Sequence, residues 1–185
     1  MWKEVEKSMA AFFFSGSHEA KIDDKNRFVL PQSLRLGLVE EGKLEFFLSL
    51  GLGGCLTIYR KSAMQRIVAA FKKKAYAAKY QQFFTLFFST LHETSCDKLG
   101  RVVMPQILKK GASIKEEVVI SGVLNKIEIW PKEKYQKDLA AFLKGYEEGS
   151  VLKTMAEEAF SLLEGQGVEQ GSVGTEPLEA LLEEV

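Results

Sequence analysis

The sequence has few of the residues on which most catalytic and metal-binding sites depend. Its 185 residues include only two histidines and two cysteines, and Cys55 and Cys96 are too far apart to form a CxxC motif. These counts exclude a disulfide scaffold and a cysteine-rich zinc site. The motifs GxSxG, HExxH, GxGxxG and the P-loop are all missing from the sequence. We therefore expect no enzyme activity, no metal, no cofactor and no small-molecule substrate.

Long hydrophobic segments are also missing. No apolar run approaches the ~20 residues that a helix needs to cross a bilayer. Near the N-terminus, Glu4, Glu6 and Ser8 precede a short apolar stretch that is unlike the core of a signal peptide. We therefore expect a cytoplasmic protein that has no membrane partner.

The net charge of zero hides an uneven distribution of charge. Residues 1–140 contain 23 Lys and Arg against 15 Asp and Glu, a net charge of +8. Residues 141–185 contain ten Glu and two Lys, a net charge of −8. A basic body can attract a polyanion, and an acidic tail can compete for the same surface.

An internal repeat organises the chain. At a shift of 74 residues, segments 18–37 and 92–111 are identical at nine of 20 positions. Weaker similarity continues through residues 45–59 and 117–130. We infer two copies of one module of about 45 residues.

Each copy has the pattern of a small β module with one short helix. A strand leads through a polar turn into a second strand, after which Pro31 or Pro105 predicts the start of a helix. Gly37 or Gly111 then predicts the C-terminal cap of that helix, and two further strands follow. Because four short strands bury little apolar surface alone, we expect both copies to share one barrel-like core. The predicted fold is mainly β with helices (α+β).

Other segments of the chain have helical patterns. Apolar residues at helical spacing in segments 63–71 and 76–91 predict a helical hairpin between the copies. Its phenylalanines are expected either in the core or at a subunit interface. Helical patterns return after Pro131, and residues 164–174 are rich in Gly, Glu, Gln and Ser, which predicts a disordered acidic tail. The expected organisation is repeat 1 at 16–62, a helical linker at 63–90, repeat 2 at 91–134, and C-terminal helices with the tail at 135–185.

The strongest functional signal is an Asp-x-x-x-Arg turn that occurs once in each copy. It contains Asp23 and Arg27 in the first turn and Asp97 and Arg101 in the second. One interpretation is structural, with a local salt bridge as the only role of each pair. In the functional interpretation, each aspartate orients its arginine, whose guanidinium donors can bind phosphate or the edge of guanine.

Lysines inside the turns, Lys25 and Lys98, add positive charge that can contact phosphate. The duplication favours DNA as the ligand, because DNA presents similar surfaces at a regular spacing. Our main hypothesis is a DNA-binding transcriptional regulator. The alternative is an oligomeric scaffold or partner-binding module, whose turn arginines bind an acidic protein or RNA without specific DNA readout.

Three segments together resemble the MraZ family, bacterial regulators with two SpoVT/AbrB-type domains. They are residues 22–31, their second copy at 96–105, and residues 117–130, which end in Asn-Lys-Ile-Glu-Ile-Trp. The resemblance extends over roughly residues 12–140. It implies a double-split β-barrel formed by two AbrB-like repeats, and a ring-shaped homo-oligomer.

The resemblance also implies a transcription factor associated with the nucleoid. Its partner would be double-stranded DNA, at direct repeats upstream of the division and cell-wall gene cluster. The DNA-contacting arginines of the family map onto Arg27 and Arg101. The chain departs from the family at Asn26, where a glycine is usual, and in the linker, which has Gln81, Gln82 and Thr85 where several arginines are usual.

Overall fold

We describe the fold from a computed structural model, which covers residues 12–74, 77–147 and 151–164. The chain divides into two compact units, residues 1–137 and residues 138–185. Two segments singled out in the sequence lie outside the described residues. They are the N-terminal stretch through residue 11, which contains Glu4, Glu6 and Ser8, and the acidic tail from residue 165 onward.

The secondary structure follows the repeat. The first copy contains β1 (Ser17–Lys21), β2 (Arg27–Val29), α1 (Gln32–Leu38), β3 (Glu45–Leu50) and β4 (Leu56–Arg60). The linker contains α2 (Lys61–Lys74) and α3 (Gln81–Thr90). The second copy contains β5 (His92–Ser95), β6 (Arg101–Val103), α4 (Gln106–Gly111), β7 (Glu117–Val123) and β8 (Lys126–Pro131). The C-terminal helices are α5 (Lys132–Glu147) and α6 (Val151–Glu164).

The two copies interleave in one antiparallel sheet with the strand order β1-β7-β8-β4-β3-β5. Strand β1 of the first copy pairs with β7 of the second, and β5 of the second pairs with β3 of the first. At the centre, β4 pairs with β8 through Thr57 and Glu128. The order reads the same when the copies are exchanged, so the repeats are related by a pseudo-two-fold axis. The prediction of an α+β fold built on two repeats is confirmed.

Both copies contribute to a single hydrophobic core, as the sequence predicted. Apolar residues from β2, β3, β4, β6, β7 and β8 are fully buried in it, because each strand turns alternate side chains inward. Examples are Phe28, Phe46, Ile58, Val102, Ile120 and Ile127.

The predicted glycine caps are wrong. Gly37 lies inside α1, Gly111 is the last residue of α4, and neither has a positive φ. At Gly37 the reason for glycine is close packing, since an added Cβ would collide with the rings of Phe12 and Phe14. The pattern correctly marked a constrained position, but the constraint is space and not a left-handed backbone.

The linker forms the two predicted helices, and its phenylalanines divide between two environments. The rings of Phe71 on α2 and Phe87 on α3 are buried and meet edge to face, with 5.5 Å between their centroids. Three other apolar side chains of α3 are 41–55% exposed, although the rings of Phe83 and Phe88 still contact that of Phe71. These exposed α3 residues are Phe83, Leu86 and Phe88. Among the helices that the structure describes, none is long and apolar enough to span a bilayer.

Candidate nucleic-acid interface

The first turn, residues 23–27, is closed by its own aspartate. One carboxylate oxygen of Asp23, Oδ1, accepts hydrogen bonds from the backbone N–H of Lys25 at 2.9 Å and of Arg27 at 2.8 Å. The backbone N–H of Asp23 also donates to the carbonyl of Arg27 at 2.8 Å. Asn26 completes the turn with a φ of 56°, a left-handed conformation that asparagine tolerates better than most residues.

The second turn, residues 97–101, has the same hydrogen-bond pattern around a different sequence. Oδ1 of Asp97 accepts from the backbone N–H groups of Leu99 and Arg101, both at 2.9 Å. Gly100 occupies the left-handed position with a φ of 78°. The repeat therefore encodes one turn geometry twice, and the aspartate is the residue that closes it.

The other carboxylate oxygen of each aspartate holds the arginine side chain. Nε of Arg27 donates to Oδ2 of Asp23 at 2.8 Å, and Nη2 lies 2.8 Å from the same oxygen. Nε of Arg101 donates to Oδ2 of Asp97 at 2.6 Å. A guanidinium has five N–H donors, so each arginine keeps several for another partner. The Asp–Arg pair is expected whether the turn has only a structural role or binds DNA. Only DNA binding uses the remaining N–H donors of the arginine.

The turns keep their charges at neutral pH. The hydrogen bond from the Arg27 side chain is the main cause that lowers the pKa of Asp23 below its usual 3.8. At Asp97, the backbone N–H of Arg101 is the main cause that lowers the pKa. The ion pair also raises the pKa of Arg27. Each turn therefore presents a fixed, charged guanidinium.

Strands β2 and β6 form a short antiparallel ribbon that presents both arginines on one face. The register pairs Arg27 with Val103 and Val29 with Arg101, while the central residue of each strand is buried below. The four paired side chains share the outer face, with the arginines at diagonally opposite corners. Val29 and Val103 are about half exposed there, at 51% and 52%. A two-stranded ribbon of this kind fits the major groove of B-DNA.

The two predicted lysines do not occupy equivalent positions. Lys25 aligns with Leu99 in the other turn, and Lys98 aligns with Asp24. Both lysine side chains are exposed. The pseudo-symmetry of the turns therefore holds for the aspartates and arginines but not for the lysines.

The sequence reasoning missed two basic residues that contact the turns across the repeats. Nζ of Lys109 on α4 donates to Oδ1 of Asn26 at 2.9 Å. The guanidinium of Arg35 on α1 lies against Gly100. The available signal was that residues 35 and 109 are both basic and stand at equivalent repeat positions. No pattern of hydropathy shows which turn they face.

Comparison with models of known protein families shows which family the chain resembles. The family model described as "MraZ protein, putative antitoxin-like" matches residues 13–86 and again residues 87–146. The chain belongs to the MraZ family. The two matches correspond to the two interleaved repeats, each with its own Asp-x-x-x-Arg turn. The resemblance inferred from the sequence is confirmed.

Curated relatives in this family carry the name transcriptional regulator MraZ. The Clostridium tetani protein is 37% identical over 125 residues, which is 67% of this chain and 85% of the relative. The Clostridium acetobutylicum protein is 38% identical over 123 residues, or 66% of this chain and 84% of the relative. The Heliobacterium modesticaldum protein is 34% identical over 139 residues, or 73% of this chain and 92% of the relative.

In the part of the chain that the structure describes, no group of three or more histidine, cysteine, aspartate or glutamate side chains is placed to hold a metal ion. Cys96 directly precedes the second turn and Cys55 directly precedes β4, and burial raises the pKa of both thiols to about 11. The turns and the ribbon are our candidate site.

Proposed function

We propose that this chain is a transcriptional regulator that binds double-stranded DNA through the outer face of the β2–β6 ribbon. Arg27 and Arg101 make the central contacts, and Asp23 and Asp97 orient them. The observation that carries the proposal is the shared outer face, on which each guanidinium is fixed by its own turn and retains free donors. The proposal includes no catalytic step and no cofactor.

The proposed target is a set of direct repeats upstream of the division and cell-wall gene cluster, as the family resemblance implies. A bidentate arginine–guanine contact discriminates by roughly 1–3 kcal/mol, so two arginines provide sequence preference as well as charge. Lys25 and Lys98 are exposed and contribute phosphate contacts. Binding to a promoter places the protein in the cytoplasm, on the nucleoid.

The proposed assembly is a ring-shaped homo-oligomer. One ribbon offers few phosphate contacts, and binding of that kind is typically no tighter than about 10⁻⁴ to 10⁻⁶ M. Linking several ribbons on one DNA can raise affinity by ~10² to 10⁴. The exposed α3 residues, Phe83, Leu86 and Phe88, offer apolar area that a subunit contact would cover.

Footprinting and gel-shift titration on the DNA upstream of the protein's own gene test the proposal. Random DNA of equal length serves as competitor. Arg27→Ala and Arg101→Ala should each weaken specific binding, and the double variant should nearly abolish it while Tm stays close to the wild-type value. Lys25→Ala and Lys98→Ala should weaken binding to all sequences alike and flatten the salt dependence.

The alternative function, a scaffold for an acidic protein or RNA, predicts another pattern. Promoter DNA and random DNA would then compete equally for the wild-type protein. Wild-type promoter affinity in the double arginine variant, together with an early melting transition, would leave the turns with a structural role only.

A further inference from the structure

Each turn is supported by the repeat to which it does not belong. The carbonyl of Asn26 in the first turn accepts a hydrogen bond from the backbone N–H of Met104, at 2.8 Å. The carbonyl of Gly100 in the second turn accepts from the N–H of Leu30, at 2.9 Å. These are equivalent contacts across the pseudo-two-fold axis, and both end on the left-handed residue that immediately precedes the arginine.

A side chain from a helix reinforces each of these backbone contacts. In the first turn, Nζ of Lys109 donates to Oδ1 of Asn26 at 2.9 Å. This contact joins residues 83 positions apart in the chain. It holds the asparagine whose left-handed backbone directs the chain into Arg27.

In the second turn the equivalent helix residue is Arg35, and its contact is steric. A Cβ built on Gly100 would lie 2.6 Å from Cζ of Arg35, so the guanidinium fills the space that a side chain would occupy. The Nε atom of Arg35 is buried and has no hydrogen-bond partner among the described residues. The pairing of Arg35 with glycine and of Lys109 with asparagine explains why the two turns differ at this position.

We propose that Lys109 and Arg35 are positioning residues for DNA recognition, each fixing the arginine-bearing turn of the opposite repeat. This inference rests on the proposed function. A turn that is already ordered loses less conformational freedom on binding, so the contact raises affinity without touching DNA. The consequence is that Arg27 and Arg101 are held as one unit.

A double-mutant cycle separates positioning by Lys109 from a direct phosphate contact. The variants are Lys109→Met, Asn26→Gly and their combination, with glycine chosen because the second turn has it naturally. If Lys109 acts through Asn26, each single variant should lower affinity for promoter DNA by about tenfold, and the combination should lose little more. Affinity for random DNA should stay within about twofold of wild type.

The neighbouring Lys110 provides a matched control. It is exposed and has the same charge, so Lys110→Met reports the general electrostatic effect of losing one lysine. A direct phosphate contact by Lys109 would instead lower binding to promoter and random DNA alike. The loss of affinity caused by Lys109→Met would then also add in full to the loss caused by Asn26→Gly. Either result overturns the proposal for Lys109.

For Arg35 the test is a rescue. Gly100→Asn should reduce promoter affinity measurably, because the added side chain displaces the Arg35 guanidinium that packs on the turn. Adding Arg35→Lys recreates the lysine–asparagine pair of the first turn and should restore most of the affinity. Tm measured by circular dichroism identifies any variant that has lost the fold. Wild-type binding by Gly100→Asn, or no recovery in a folded double variant, contradicts the pairing.

The arginine variants distinguish failure of this inference from failure of the proposed function. In an Arg27→Ala background, Lys109→Met should have no further effect on promoter binding. If Arg27→Ala/Arg101→Ala binds like wild type, the proposed function fails and this inference fails with it. If that variant loses binding while Lys109→Met and Gly100→Asn bind normally, only the inference on positioning fails.

Discussion

Lys61 and Glu93 form an ion pair that joins the two repeats, with Nζ of Lys61 2.5 Å from Oε1 of Glu93. The same Nζ lies 2.8 Å from Oε2 of Glu45, so one lysine links edge strand β5 to its neighbour β3. The hydrogen bond from Lys61 is the main cause that lowers the pKa of Glu45 below its usual 4.5.

The pseudo-symmetry reproduces this arrangement at the other edge of the sheet. Nζ of Lys132 lies 2.8 Å from Glu19 on β1 and 3.6 Å from Glu117 on β7. The identity of the repeats at Glu19 and Glu93 therefore has a structural reason: each glutamate anchors an edge strand to the opposite repeat.

Removing these lysines should destabilise the fold without a specific effect on DNA recognition. We expect Lys61→Met to lower Tm by roughly 2–5 °C at low salt and by less at 1 M salt, where screening is strong. Lys61→Met/Lys132→Met should add the two effects, because the sites are far apart. Lys115→Met is the matched control, since Lys115 and its partner Glu133 are more than 80% exposed and lie 3.9 Å apart. If Lys115→Met lowered Tm by as much, Lys61 and Lys132 would have no special role in stabilising the fold.

The lowered pKa values of the turn aspartates predict that the fold loses stability at acid pH. Because folding lowers the pKa values of Asp23 and Asp97, the stability that these carboxylates contribute to the fold is fully present above pH 3.8, their usual pKa. It is lost as the pH falls through the lowered values. Carbon-13 NMR of the carboxyl groups should give midpoints below 3.8 for both residues and no titration between pH 5 and 8. A midpoint above 4 for either aspartate contradicts the hydrogen-bonded turn.

Asp23→Asn tests whether the aspartate orients the arginine for DNA. The amide oxygen still accepts the two backbone hydrogen bonds, but the charge that holds the Arg27 guanidinium is lost. We expect promoter affinity to fall several-fold, with little change in the secondary structure. Asp24→Asn is the control, because Asp24 is exposed and its substitution removes the same charge. The affinity of this variant for promoter DNA should rise or stay the same. Equal gains in both variants would mean that only net charge matters.

The exposed α3 residues should determine the size of the assembly. Light scattering of the wild-type protein should give a mass larger than that of a dimer at micromolar concentration. Leu86→Ser should reduce that mass, because Leu86 is the most exposed of the three, at 55%. Leu52→Ser, which removes an apolar side chain that is 75% exposed elsewhere, should leave the mass unchanged. A wild-type mass near 21 kDa would contradict the proposed oligomer.

The acidic C-terminal residues should weaken DNA binding by electrostatic competition. Deleting residues 165–185 removes five Glu and no Lys or Arg. We expect DNA affinity to rise after the deletion, most strongly at low salt where screening is weakest. A salt titration that superimposes on that of the full chain would show that the tail does not compete for the basic surface.

Much of the local structure was predictable because it depends on residues close together in the chain. Asp23 and Arg27 are four positions apart, and their hydrogen bonds close within one turn. Pro31 and Pro105 precede the short helices α1 and α4, as their fixed φ favours. The glycine caps failed because Gly37 is selected by contact with Phe12 and Phe14, more than 20 residues away. Such contacts leave no periodic signal in a single sequence.

By itself, the sequence determined the two repeats, the α+β class, the family and the arginine-bearing turns. Each of these depends on local spacing or on comparison of one copy with the other. Only the tertiary structure decided that the copies exchange strands, which places Lys109 on Asn26 and Arg35 on Gly100. The pairing of β2 with β6 likewise sets both arginines on one exposed face. The physical reason is that a shared core is buried more completely by interleaving the copies than by folding each alone, and sequence similarity does not specify which copy supplies each neighbouring strand.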